Sequence, residues 1–383
     1  MSDQADRERR PGDPAERDMT PALGSPGQPA FGRRQDGETV ALHIGEWRDG
    51  AWSYLYDKAD TTYRAPGAVA DGNVPEAARR ARGGPLADEA VVQGPVIKPP
   101  VWTWEIPLYF WFGGLAAGSS FVALGCDLAG DERSARIARK VALGALVPSP
   151  PLLIMDLGRP LRFYNMLRVF KPRSPMNMGA WALTVFGALA GTSVAADLVG
   201  LNRTAQVVGG LNAVVGGYLG SYAGVLLAST AVPVWARSRL FLGPIFVATA
   251  TANGAATCRL VLAATGLPVG HPTRIALGHV ESGAMAVELL LSQVNERSLG
   301  PLSDGLEEGR SGTLFRAAKW SVRSGLALRL ARRRGGPWAH HLASGLYLAA
   351  GLMFRYAWVG AGPPSAKNDR VVARMAREHH HAG

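Results

Sequence analysis

The sequence predicts an all-α integral membrane protein, a polytopic bundle of about eight transmembrane helices of which seven are clear and one is amphipathic. Three observations lead there. From Trp102 onward the chain is a series of Ala/Leu/Val/Gly runs, whereas residues 1 to about 100 are rich in Arg, Asp, Glu, Pro and Gly. The runs approach the roughly 20 residues that a helix needs to cross about 30 Å of hydrocarbon. The second run ends in Asp156-Leu-Gly-Arg-Pro160, and a carboxylate and a guanidinium at a membrane helix end are costly unless they serve something. A mean hydropathy of +0.04 hides this, because it averages two unlike parts.

Taken in order, residues 1–93 read as a mostly disordered polar tail with no charged-then-apolar signal peptide. Within it, His43 to Tyr56 is locally aromatic, a docking segment or a weak hairpin turning at Asp49-Gly50. Gly94 to Pro100 forms an extended lead-in, and residues 94–362 make the bundle. Its spans are expected at about 104–127, 137–156, 176–199, 205–231, 240–265, 273–295 and 338–360. The interval 313–334 has helical periodicity but carries Arg316, Lys319, Arg323 and Arg329. It suits an interfacial helix, or a poorly apolar eighth span held inside the bundle. Residues 363–383 read as a polar C-terminal tail. Glycines within the spans let helix backbones approach closely in lipid.

The formal net charge is +11. The arginines are spread over membrane-flanking loops and the tail without aromatic interleaving, so anionic lipid headgroups suit this charge better than nucleic acid. The two cysteines, Cys126 and Cys258, fall inside spans and suit apolar packing. With no Cys-x-x-Cys pair, this chain holds no iron–sulfur cluster or structural metal by itself. Basic residues weakly favour the side bearing the N-terminal tail as cytoplasmic, in a multi-pass protein of the inner or plasma membrane.

Four polar features carry the candidate chemistry. Trp102, Trp104 and Trp111 mark a headgroup belt at the start of the first span, which leaves Glu105 and Tyr109, about a turn deeper, less well explained. Asp156 and Arg159 either pair to close a helix end or form one wall of a polar pocket at the bilayer edge. Tyr218 and Tyr222 stand at i and i+4 on one helix face, as packing residues or as donors to a quinone carbonyl. Asp197, Asn253, Arg259, Glu281, Glu288 and Arg355 are polar groups within spans, which usually face the bundle interior and mark a proton or ion route. Arg259 and Glu281 are expected inside, with Glu288 on the same route, and Asp197 at the surface. Only His279, His340 and His341 lie near spans, so paired axial ligands for a haem are not favoured.

Together Val101–Gly118 (VWTWEIPLYFWFGGLAAG), Asp156-Leu-Gly-Arg-Pro160, Ser174-Pro-Met176, Tyr222-Ala-Gly224 and Arg355 with Ala361–Ala366 (AGPPSA) resemble the NrfD/polysulfide reductase membrane-subunit family. The resemblance covers roughly Gly94 to Asp369. It implies an eight-helix fold holding menaquinone or ubiquinone at the membrane edge. The implied partners are a ferredoxin-like iron–sulfur subunit and a molybdopterin-type catalytic subunit. By position it suggests Tyr109 and Tyr222 at the quinone, with Trp104 and Glu105 nearby. From the residues themselves, Tyr218 joins Tyr222 as a candidate for the quinone, Asp156 and Glu105 are candidate proton groups, and Arg159 is a fixed charge for a developing quinone anion. Where a related subunit has a histidine in the first helix, this chain has Tyr109, a group that donates a hydrogen bond more readily than a proton. An ion or solute transporter and a haem-bearing cytochrome anchor are the other readings.

Overall fold

The computed structural model describes residues 31–33, 39–41, 97, 99–157, 160–307 and 309–367. The chain divides into two units. In the first, β1 (Phe31–Arg33) pairs antiparallel with β2 (Thr39–Ala41), Gly32 opposite Val40. The aromatic segment His43 to Tyr56 and its hairpin turn lie outside the described residues.

The second unit is helical. Helix α1 (Glu105–Leu128) is followed by α2 (Glu132–Leu146) and α3 (Ser149–Met155). The last two make one span, broken where Pro148, Pro150 and Pro151 remove backbone donors. Short α4 (Asn165–Arg168) leads to α5 (Pro175–Leu198) and α6 (Asn202–Ala228). Then come α7 (Pro233–Arg237), α8 (Arg239–Ala264), α9 (Pro272–Leu299) and α10 (Asp304–Glu307). Helices α11 (Gly309–Leu330) and α12 (Arg332–Lys367) close the bundle.

Local chemistry sets the helix ends. Asp131 caps α2 by accepting from the Ser134 amide at 3.0 Å, and Ser174 caps α5 ahead of Pro175. Gly130, with φ 75°, supplies the left-handed turn after α1. Asp131 also accepts from Thr273 at the start of α9, tying two loops together.

Among the described residues, seven helices are long and apolar enough to cross a membrane. The eighth, α11, is too charged to be counted with them. It packs antiparallel to α12, burying Phe315, Ala318 and Val322 and leaving Trp320 exposed. It is therefore part of the bundle: Arg316 and Arg323 are exposed, whereas Lys319 and Arg329 turn inward to Glu296 and Glu281. The spans alternate in direction, so α1, α5, α8 and α11 start at one face, here called proximal, and end at the distal face.

Helices α1 and α8 form the centre, with 72% of the α8 window buried against 33% for α5. A Cβ built on Gly118 would overlap the Ala250 carbonyl, and one on Gly254 would overlap the α1 backbone at Gly118 and Ser119. These two glycines let the backbones touch, which is how helices gain dispersion energy in a solvent as apolar as themselves.

One expectation is overturned. Asp197 is not a surface residue: its side chain is 2% exposed and takes both the Nε and Nη2 of Arg139, at 2.6 and 2.8 Å. Arg139 also bridges Asp127 at 2.6 Å. The triad clamps the distal ends of α1, α2 and α5. A charge in the bilayer is tolerated where it is paired, and here one guanidinium serves two carboxylates.

Candidate functional site

The proximal edge gathers most of the candidate residues. Glu105 opens α1 and Asp156 closes α3, two half-buried carboxylates near enough for one to act on the other. Burial pushes the Asp156 carboxyl up to about 6, and the negative charge of Glu105 adds to the effect. Asp156 thus changes protonation near neutral pH. Thr103 donates a hydrogen bond to Glu105, and the Tyr356 hydroxyl donates to the Trp104 carbonyl at 3.2 Å, anchoring the start of α1 to α12.

One turn into α1, Tyr109 is 3% exposed, and Tyr222 on α6 is 4% exposed and within electrostatic reach of it. Neither hydroxyl has a hydrogen-bond partner among the described residues. The rings are buried while the hydroxyl oxygens keep some accessible surface, so the pair is a donor set open to a ligand. Gly179 makes room for it, because a Cβ there would overlap the Tyr222 ring and hydroxyl. Phe110 packs beside Tyr109, with ring centroids 5.5 Å apart. Tyr218 lies 6.1 Å from Tyr222 by ring centroid but is largely turned outward, at 38% exposure. Trp104 is half exposed and lines a cavity of about 1040 Å³ with Arg310, Arg316 and Tyr356; Tyr109 and Tyr222 are not in its lining. Arg159 lies outside the described residues.

Arg259, Glu281 and Glu288 form a separate interior group. Arg259 is 2% exposed, and Glu281 and Glu288 are fully buried. Near the distal face, Glu281 is ion-paired to Arg329, stands 3.9 Å from Arg259 and accepts from Ser344 at 2.9 Å. Two turns along α9, about 10 Å at 1.5 Å per residue, Glu288 accepts from Ser292 at 2.7 Å, and its other oxygen has no partner among the described residues. Arg355 is buried within electrostatic range of Glu288, and its guanidinium rests 3.7 Å from the centre of the Phe246 ring. Glu296 then pairs with Lys319 at 2.8 Å toward the proximal end. The structure places the described edge residues on α1, α6 and the end of α3, and the route residues on α8 and α9.

A family described as polysulphide reductase, NrfD, matches residues 95–291, more than half of the chain. The chain belongs to this family. No curated protein matches it. The NrfD family is associated with membrane subunits of quinone-linked oxidoreductases, generally partnered by iron–sulfur and molybdopterin subunits. With seven helices able to span, this NrfD chain is a multi-pass membrane protein.

Sequence reasoning passed over several residues that the structure assembles. Arg274, Arg329 and Ser344 join Arg259 and Glu281, and Ser292 and Asn295 continue the Glu288 face. A signal for the second set was present: Glu281, Met285, Glu288, Ser292, Asn295 and Leu299 recur at steps of four and three, one face of α9. No such period links Arg329 on α11 to Ser344 on α12.

Proposed function

We propose that this chain is the membrane anchor and quinone-binding subunit of a multi-subunit oxidoreductase. In this reading it passes electrons between the quinone pool and a ferredoxin-like iron–sulfur partner, itself attached to a molybdopterin-type catalytic subunit. The observation that carries the reading is the pair of phenols at Tyr109 and Tyr222, whose side chains are buried and whose hydroxyls have no hydrogen-bond partner among the described residues; at the same face Asp156 holds a carboxyl pushed up to about 6.

These residues fit a quinone headgroup. A carbonyl oxygen accepts hydrogen bonds, and two hydroxyls in a water-poor edge offer them with no competing partner. When bound, the quinone supplies two-electron, two-proton chemistry. Tyr222, braced against Gly179, orients the ring, and Tyr109 holds it from α1. Trp104 flanks the approach at headgroup level, and Tyr218 stands outward of Tyr222 deeper in the span. Asp156 exchanges protons with water, because a group that titrates near the working pH gives and takes protons with similar ease. Glu105 keeps that proton affinity high. Arg159, three residues after Asp156 in the sequence, is the candidate fixed charge for a developing quinone anion.

The Arg259, Glu281 and Glu288 series is a proton route in this proposal, running along the polar face of α9 toward the proximal side. The test is co-purification in mild detergent with identification of bound subunits and extracted quinone, followed by quinone-linked turnover of Tyr222→Phe and Asp156→Asn. Both variants should assemble and turn over more slowly. Full turnover in both removes the site assignment, and a preparation without quinone or a cluster-bearing partner removes the function.

A further inference from the structure

A second cavity, of about 820 Å³, opens at the distal face between the ends of α8 and α11 and the starts of α9 and α12. Arg259, Arg274 and Arg329 line it from three different helices. They are near enough to repel, Arg274 acting on Arg259 and Arg259 on Arg329. From α9 the cavity also meets His279, and from α12 His340, with His341 within range of all three guanidiniums. Among the described residues the one carboxylate in this group is Glu281, already held by Arg329 and Ser344. Three fixed positive charges thus face one negative charge in a place where unpaired charge is expensive.

The donors are also in surplus. Arg259 spends Nε on the Arg274 carbonyl and Nη1 on the His340 carbonyl, at 3.1 and 2.9 Å. Arg274 is only 2% exposed and gives Nη1 to the Leu267 carbonyl at 2.6 Å. Among the described residues its Nε and Nη2 have no partner, nor has the Nε of Arg329. A buried guanidinium edge with two open N–H groups matches paired oxygens of a phosphate in the fork geometry that this side chain favours.

We propose that this cavity is a phosphate-binding site, seated on Arg274 and completed by Arg259 and Arg329. Its occupant is a phosphate group, either free or in the headgroup of an anionic phospholipid. The site lies across the membrane from Tyr109 and Tyr222 and is independent of the quinone reading. An occupant would neutralise the excess charge and fill the open donors, stabilising the distal ends of four helices. Binding to the folded state alone raises thermal stability with ligand concentration.

The test uses the full chain in detergent, in phosphate-free buffer at constant ionic strength. One arm titrates inorganic phosphate against chloride while Tm is read. The other transfers the protein into vesicles of phosphatidylglycerol or phosphatidylcholine. A saturable rise in Tm with phosphate supports a free phosphoryl ligand, and a rise with phosphatidylglycerol alone supports a lipid headgroup. In either arm Arg274→Lys, which keeps the charge and loses the fork, should raise the half-saturating concentration by about tenfold, the loss of one charged hydrogen bond. Arg274→Gln should abolish the rise, and Arg316→Gln at the proximal face should leave it intact. If the Gln variant does not fold, the wild-type titration and the Lys variant still decide. A flat response in both arms, an unchanged response in Arg274→Lys, or an equal loss in Arg316→Gln overturns the proposal.

Discussion

Replacing Glu105 by Gln removes one of the two causes that hold a proton on Asp156. In the wild-type protein that carboxyl is pushed from 3.8 up to about 6, with burial the larger cause and the Glu105 charge the smaller. The substitution should therefore return less than half of the difference, under about one pH unit, or less than about 1.4 kcal/mol. Solvent screening at a half-buried position makes this an upper limit. The assay is an infrared titration of the protonated carboxyl band, assigned by its loss in Asp156→Asn. The acid limb of quinone-linked turnover should move down in pH with the band. The sign extends to stability: a carboxyl whose affinity for protons is raised on folding contributes stability below its unfolded value, lost as pH rises through about 6. A band that stays in place or moves upward in Glu105→Gln would refute the reasoning, since the two groups would then not interact as charges.

Gly179→Ala should push the Tyr222 ring off α5, lowering Tm by the equivalent of about 1–3 kcal/mol and slowing quinone-linked turnover; unchanged values in both would show that the ring has room to move. Arg139→Leu should be the most damaging change at the distal clamp, at about 3–5 kcal/mol, because it strands Asp127 and Asp197 together. Asp127→Asn should be mild, as Asp197 keeps both bonds to Arg139; thermal unfolding of the two variants in the reverse order would contradict the pairing. Burial works against the charge of Asp131, but hydrogen bonds from Ser134 and Thr273 outweigh it and hold the carboxyl below its usual value. Its stabilisation is present above the unfolded value of 3.8 and lost as pH falls through the lower folded one. Thr273→Val should start that acid loss at higher pH, readable as Tm against pH.

The family and the number of spans were readable from the chain because hydropathy and motif order are local properties. Twenty apolar residues between polar ends form a helix in lipid whatever lies beside them, since the backbone has nowhere else to hydrogen-bond. The proximal edge was partly readable for the same reason. Glu105, Tyr109 and Asp156 sit at span ends, and span ends at one face are neighbours once the helices alternate. The interior positions of Arg259 and Glu281 followed from the cost of charge in hydrocarbon.

What sequence alone left open was decided by rotation and neighbour choice among the helices. Asp197 looks like an exposed helix-end carboxylate until α2 brings Arg139 against it, and Gly179 is an ordinary small residue until Tyr222 lies across it. Arg274, a lone basic residue near a loop, becomes part of a three-arginine cavity only when α8, α9 and α11 converge. Such pairings join residues far apart in the chain, and in lipid no local pattern specifies them. Backbone fit at points such as Gly118 and Gly254 selects which faces meet, and that fit exists only in three dimensions.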